Sequence, residues 1–323
     1  IYPSACRGAD FFQAESSTGR LSIREDMSIG IGRHRLQAGL SLARAQVDTR
    51  SQFFGDGMFV YGADGATVPD FALVNVQGLA SGEASTELGV FVEDRWSISD
   101  GLTLTLGLRY DVETNGSNQD YVSDLAGSLP FVPTQERPAD VNNVAPRFGF
   151  SWTPVMDRPL VVRGGAGVYY GTSSLWYGGL EVQGNLNAFI PAPGVSRVED
   201  LPVDPATIAV DSRNVMGEEW EAVRTVQGSM GLDWGPAPGW TVTVEGVASS
   251  SANLPIQRQV NGNGFNRLYP GYGNFFQLLS AGSARSRLVT LGVRRQAGTS
   301  FVDAHYTLSK SEATNDLWFQ SIT

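Results

Sequence analysis

Between Leu102 and Val112 apolar and polar residues alternate without a break, and no other feature of the chain narrows its fold so far. Leu102, Leu104, Leu106, Leu108, Tyr110 and Val112 share one parity, and Thr103, Thr105, Gly107, Arg109 and Asp111 share the other. A period of two belongs to a strand whose two faces meet different surroundings; a helix would scatter these residues around its circumference. Eleven residues at about 3.3 Å each reach just over 30 Å, enough to cross the hydrocarbon core of a bilayer. The preceding segment behaves alike. Leu88, Val90, Val92, Trp96 and Ile98 point one way, with Asp94 as the exception, and Gly89, Phe91, Glu93, Arg95 and Ser97 point the other. Ser99-Asp100-Gly101 joins the two as a turn, with glycine to supply positive φ.

The same pattern recurs along the chain. Leu21, Ile23, Met27 and Ile29 lead to a turn at Gly32-Arg33, and Leu36, Ala38, Leu40 and Leu42 return. Arg147 to Thr153 alternates through Phe148, Phe150 and Trp152, turns over Pro154 to Pro159, and returns from Leu160 to Tyr170. Val226, Met230, Leu232 and Trp234 precede the turn Gly235 to Gly239, and Trp240, Val242 and Val244 follow it. Val289, Leu291 and Val293 reach Ala297-Gly298-Thr299, after which come Val302, Ala304, Tyr306 and Leu308. The reading is about ten strands in five hairpins. The connections between hairpins are long: Val47 to Ser85, Thr114 to Asn142, Gly171 to Ala222 and Ser250 to Arg285. Short and long connections therefore alternate strictly, as they do where short periplasmic turns face long extracellular loops. Loops of such length are uncommon in compact domains and need a reason. The expected fold is all-β: an antiparallel transmembrane β-barrel, with residues 1–323 forming part of it. On this topology Gly116 and Gly184 lie outside the cell and Asp100 in the periplasm.

Composition permits this. The mean hydropathy is −0.12 and charged residues are 17%, but half-polar barrel strands average out to such values. No run of eighteen apolar residues exists to make a membrane helix. The net charge of −10 disfavours a nucleic-acid partner. Cys6 is the single cysteine, so no internal disulfide exists. The first residues form no signal peptide and the last no strand, and the chain is expected to be the middle of something longer. Trp96, Trp152, Trp234 and Trp240 lie beside short turns, while Tyr110, Tyr169 and Tyr170 lie at the opposite strand ends. Together they are expected to form the two aromatic girdles of the membrane interfaces.

Three segments carry a resemblance. Gly89-Val90-Phe91-Val92-Glu93-Asp94-Arg95-Trp96, continued by Leu102 through Asp111, resembles a strand pair of TonB-dependent receptor barrels. Asn143-Val144-Ala145-Pro146-Arg147-Phe148-Gly149-Phe150-Ser151-Trp152 resembles the next strand of such barrels. Tyr306-Thr307-Leu308-Ser309-Lys310-Ser311 is similar to a segment of the Oar-like branch, whose large members often carry a carboxypeptidase-regulatory-like domain. The resemblance implies a barrel of about 22 strands, an N-terminal plug, a box that contacts the TonB complex, and energised uptake of a large or scarce solute across the bacterial outer membrane. It also implies contact with outer-membrane lipid and lipopolysaccharide. Against that pattern the chain lacks a plug, a box and a closing C-terminal strand. Two readings stand beside it: a passive porin, and a surface-binding or adhesion barrel.

The residues offer little chemistry. Two histidines, His34 and His305, make a catalytic triad improbable, and no zinc, nucleotide or hydrolase motif is present. No enzyme activity, cofactor or metal is expected. Asp111 to Asp120 mimics a calcium loop but has Val122 where the bidentate glutamate belongs. The substrate candidates are loop aromatics: Tyr170, Trp176 and Tyr177 in one stretch, and Tyr269, Tyr272, Phe275 and Phe276 with Asn263, Asn266 and Asn274 in another. Exposed aromatics with amides suit sugars or flat ligands, while their competing role, to pack the loops on themselves, is favoured by the length of those loops. Glu93, Arg95, Arg109, Asp111, Arg147, Arg163, Asp233 and Glu245 are expected on the lumen wall, solvating it and pairing with one another or with a plug.

Overall fold

The computed structural model describes residues 12–314 apart from 55, 78, 117, 156–158, 174, 183–184 and 263–265, so Cys6, Asn263 and Gly184 lie outside the described residues. Numbered along the chain, ten long strands form the five expected hairpins: β1 (Phe12–Ile31) with β2 (His34–Phe53), β5 (Leu79–Ser99) with β6 (Leu102–Thr114), β7 (Asn143–Trp152) with β8 (Leu160–Tyr170), β11 (Arg224–Trp234) with β12 (Trp240–Gln259), and β13 (Phe275–Ala297) with β14 (Ser300–Ala313). Each hairpin also pairs antiparallel with the next, giving one sheet in the order β1-β2-β5-β6-β7-β8-β11-β12-β13-β14. β1 and β14 do not pair with each other, so the sheet is an open, partial barrel wall. Two positions, one in a turn and one within β2, show why glycine is needed. Gly239 has φ +77°, and a Cβ there would lie 2.2 Å from the Gln296 carbonyl. Gly39 leaves room for the Phe91 ring, which a Cβ would meet at 2.4 Å.

Register turns the alternation into two continuous surfaces. Leu40, Val90, Tyr110 and Val144 stand opposite one another across four strands, and Val242, Val293 and Ala304 do so across three. This face is apolar yet open: Met27 is 69% exposed and Leu108 49%. A soluble protein rarely leaves so large an apolar band uncovered; lipid is the solvent that suits it. Glu25, opposite Leu40, and Asp94 are charged residues on this face; Asp94 is bonded to His34 Nδ1 at 2.7 Å, and the His34 ring stacks on Trp96 at 5.2 Å. The pair shields a carboxylate near the short turn between β5 and β6.

Of the residues expected in the girdles, Trp96, Tyr110, Trp152, Trp234 and Trp240 share the outer parity. The Tyr110 hydroxyl donates to the Val141 carbonyl at 2.9 Å, and the Arg295 guanidinium lies 4.9 Å from the Trp240 ring. Tyr169 is a correction. It alternates with Gly165 and Arg163 onto the inner face, and Arg147 lies 4.8 Å over its ring. Its neighbour Tyr170 takes the outer parity instead, opposite Arg224. Two adjacent tyrosines cannot both face lipid in a strand.

The long connections are not loose. Strands β12 and β13 run 20 and 23 residues, so the connection expected over Ser250 to Arg285 shrinks to residues 260–274. At about 3.3 Å per residue β13 extends roughly 75 Å, and most of its upper half stands above the membrane. Four short strands were not foreseen: β3 (Met58–Val60), β4 (Phe71–Asn75), β9 (Asn185–Pro191) and β10 (Val210–Met216). They pair in that order, and β10 joins the upper end of β13 in parallel, Arg213 opposite Phe275 and Met216 opposite Leu278. A helix α1 (Leu175–Val182) and a short helix α2 (Pro205–Ile208) complete a folded cap. No described helix is long and apolar enough to cross a membrane.

The buried apolar side chains belong almost wholly to this cap. Leu129, Val132, Val215 and Phe275 form one cluster, Ala72, Val74 and Ala192 a second, and Met216, Trp220 and Leu278 a third. The first joins three connections and explains their order.

Two outcomes check this topology. In intact cells, on a Cys6→Ser background, Ser128→Cys should react with an impermeant thiol reagent and Asp100→Cys should not. Leu108→Arg, on the lipid face, should cost about 2–4 kcal/mol in a urea titration, whereas Thr105→Arg, on the inner face, should cost under about 1 kcal/mol.

Candidate functional site

Where the inner wall meets the cap, a cavity of about 380 Å³ opens toward the lumen. Its floor is built by strand parity: β1 presents Arg20 and Arg24, β5 Glu87, β6 Arg109, Asp111 and Glu113, β7 Asn143 and Arg147, and β8 Tyr169. Its roof comes from the connections, with Gln119, Asp140, Thr172, Ser173 and Trp220. Four arginines and four carboxylates line it, and most are matched. Arg20 holds Glu87 through two bonds of 2.9 and 2.8 Å, and Arg109 holds Asp111 at 2.6 to 2.9 Å. Asp140 accepts from the Ala222 amide at 2.8 Å. The Ser173 amide donates to Glu113 at 2.7 Å, and burial pushes the Glu113 carboxyl above its ordinary range despite that bond. Further along the wall Arg163 pairs with Asp233 and, at 3.5 Å, with Glu245. Glu93 and Arg147 flank Gly107 on the same face.

The roof is locked by one buried ion pair. Arg137 donates to both oxygens of Glu181, at 3.0 and 2.6 Å, and to the Asn118 carbonyl at 2.7 Å. Glu181 also accepts from the Asn118 amide at 3.1 Å and from the Met216 backbone at 3.0 Å. Both charged side chains are about 2–3% exposed. Burial raises the Glu181 carboxyl more than Arg137 and its other donors lower it. Beside it Glu83, on the upper part of β5, is 5% exposed, and its carboxyl is pushed up to about 7, by burial first and by Glu181 second. Helix α1 lies against this strand because Gly178 and Gly179 carry no side chain: Cβ atoms there would stand 3.2 Å from Glu83 and 3.1 Å from Ser81.

A family profile described as "Outer membrane beta barrel domain" matches residues 6–321. The chain belongs to the outer-membrane β-barrel family. It is therefore an outer-membrane protein, and its exposed apolar band is the lipid-facing one. The barrel resembles several solved structures. The outer membrane transporter YddB from Escherichia coli has a TM-score of 0.58 at 11% identity, covering 94% of this chain and 34% of that one. The FrpB iron transporter from Neisseria meningitidis has a TM-score of 0.54 at 12% identity, covering 93% and 37%. A mutant ferric enterobactin receptor from Pseudomonas aeruginosa has a TM-score of 0.52 at 12% identity, covering 91% and 36%. The barrel thus spans about a third of the length of each. No curated protein sequence matches it.

The expected ligand aromatics divide sharply. Phe275 is fully buried in the first cap cluster, with Tyr269 and Tyr272 packed on it. The Phe131 and Tyr269 rings meet edge to face at 5.7 Å. Tyr177 packs on Trp220 at 5.6 Å. As a stacking platform Phe275 is a correction: its ring has no free face. Phe276 is half-buried beside it, the Trp176 side chain lies outside the described residues, and Tyr170 reaches the rim of the cavity. The calcium-like segment fails for a geometric reason. Its first four residues are extended strand, with Asp111 held by Arg109 and Glu113 by Ser173. The wall residues Arg109, Asp111 and Arg147 do gather at the cavity; Glu93, Arg95, Arg163, Asp233 and Glu245 lie outside its lining. Sequence reasoning missed Glu83, Gln119, Arg137, Asn143, Glu181 and Trp220. One signal was available: Glu181 is a lone carboxylate in the apolar run Leu175–Val182.

Two outcomes follow. Arg137→Met leaves Glu181 buried without its cation and should destabilise the cap by about 3–5 kcal/mol, read as protease sensitivity of residues 115–142 with the barrel still resistant. For Glu83, the folded state holds its proton more tightly than the unfolded chain. Its stabilising contribution is present below the ordinary value of 4.5 and lost as pH rises to about 7. Amide exchange in α1, corrected for intrinsic rates, should accelerate across that window, and Glu83→Gln should flatten the dependence.

Proposed function

We propose that this chain is the barrel portion of a TonB-dependent transporter that takes up a scarce or bulky solute. The observation that carries the reading is the interlocked cap over a charged, lumen-facing cavity. A passive channel gains nothing from sealing its mouth with strands, three apolar clusters and a buried ion pair. The likeness to an iron transporter and a ferric enterobactin receptor supports the same reading. In it, further strands close β1 and β14 into a barrel of about 22, and residues 1–323 are one part of that barrel domain. An N-terminal plug fills the lumen and meets the TonB complex, and the outer wall touches membrane lipid and lipopolysaccharide. On this reading the chain belongs to the Oar-like branch, which Tyr306 through Ser311 resembles. The lumen charges then keep the wall wet and orient the plug, with no catalytic part.

Uptake of the native solute into cells expressing the full-length protein should fall to background when TonB is deleted or a protonophore is added. Uptake that persists at full rate would instead establish the passive-channel alternative. Binding of cells to a surface that survives both treatments, without uptake, would establish the adhesion alternative.

A further inference from the structure

The cavity beneath the cap has two properties that together select a ligand. Its charges cancel, four arginines against four carboxylates, so it carries no positive excess to draw in an anion. Its buried polar atoms without a hydrogen-bond partner among the described residues are mostly acceptors: Asn143 Oδ1, Gln119 Oε1 and Glu113 Oε1, against one donor, Arg147 Nε. Asn143 is 4% exposed and Gln119 8%, and both line the cavity. The Asn143 amide is oriented by its own bond, because its nitrogen donates to the Asp140 carbonyl at 3.4 Å. Its oxygen is therefore the atom left without a partner, on a residue that lines the cavity. A buried acceptor without a donor costs about 1–3 kcal/mol, so such a group calls for an occupant.

An anionic metal chelate brings acceptors and negative charge, and would set them against two amide oxygens and a carboxylate. The complementary ligand is neutral and rich in donors, yet able to accept once from Arg147. Hydroxyl groups do both. Trp220 and Tyr169 also line the space. The volume of about 380 Å³ falls at the low end of ligand pockets, which suits one or two sugar rings. We propose that this cavity binds a neutral saccharide, with Asn143 and Gln119 accepting from its hydroxyls and Arg147 donating to one of them. The inference deepens the transporter reading, on which it rests only in taking solute to arrive from the cap side.

The test uses the full-length protein in detergent and titrates a panel of neutral oligosaccharides of two to four hexoses, with ferric catecholate and ferric hydroxamate chelates as controls. Wild type should bind at least one oligosaccharide and neither chelate at this cavity. Asn143→Leu and Gln119→Met should each weaken that binding about tenfold, the effect of one lost hydrogen bond, while Gln119→Glu, which keeps the acceptor, should retain it. Heat-modifiable gel mobility checks that each variant is folded, and Gln119→Met decides if Asn143→Leu is not. The proposal is overturned if no neutral oligosaccharide binds, if both apolar variants bind it as wild type does, or if a chelate binds and is weakened by them. Each result is independent of TonB. Chelate uptake that requires TonB, without saccharide binding, would refute this inference alone; saccharide binding with TonB-independent uptake would refute the transporter reading alone.

Discussion

Everything in this barrel depends on the cost of an unpaired backbone amide in lipid. Hydrocarbon offers no hydrogen bond, so each N–H and C=O within the membrane must find its partner in the chain. Hairpin after hairpin answers that demand with an antiparallel ladder, from the Ile31–His34 turn pair to the Ala297–Ser300 pair, shifted in register only near Ser97 and Ser251. The ladder then dictates the side chains. Once Tyr110 stands opposite Val90 and Val144, a slip of one residue would turn a whole strand's apolar set into the lumen. The outer edges of β1 and β14 are where the described sheet leaves that demand open.

The membrane also inverts the usual placement of a core. Apolar side chains of the wall are held by lipid, so packing of protein on protein is left to the cap. There the four connections meet water and obey the rules of a soluble domain: apolar clusters inside, polar groups paired, a short sheet among them. The Arg137–Glu181 pair links connections 44 residues apart in sequence, and its five hydrogen bonds leave little freedom between them. Such a pair adds little net stability over apolar packing, but removing one partner strands the other charge. It specifies how the connections meet more than how strongly.

What could be read from the chain followed from periodicity. All five hairpins, the turn positions and the alternation of short and long connections were legible, because a strand between lipid and water writes its two faces into its residues. Tyr169 and Tyr170 show the limit of arguing from position along a strand without counting parity: both sit at the right height, and only one can face lipid. The cap was illegible for the same physical reason. Its strands are three to seven residues long, too short to display a period, and helix α1 holds two glycines that read as loop. Those glycines are there because β5 passes within contact distance, which nothing local announces. Phe275 looked like a ligand platform among neighbouring tyrosines and asparagines, and is instead the centre of an apolar cluster.

By itself, then, the sequence determined the membrane wall: its strands, their order, their lipid and lumen faces, and the side on which the long connections lie. These are consequences of local alternation and of chain reach, both carried by residues close together. Only the tertiary structure decided the cap and the cavity below it. Asn143 comes from a strand, Gln119 from one connection and Trp220 from another, and their meeting depends on contacts across a hundred residues. Burial and the loss of hydrogen-bond partners arise only when those segments pack, so neither property exists in any one of them alone.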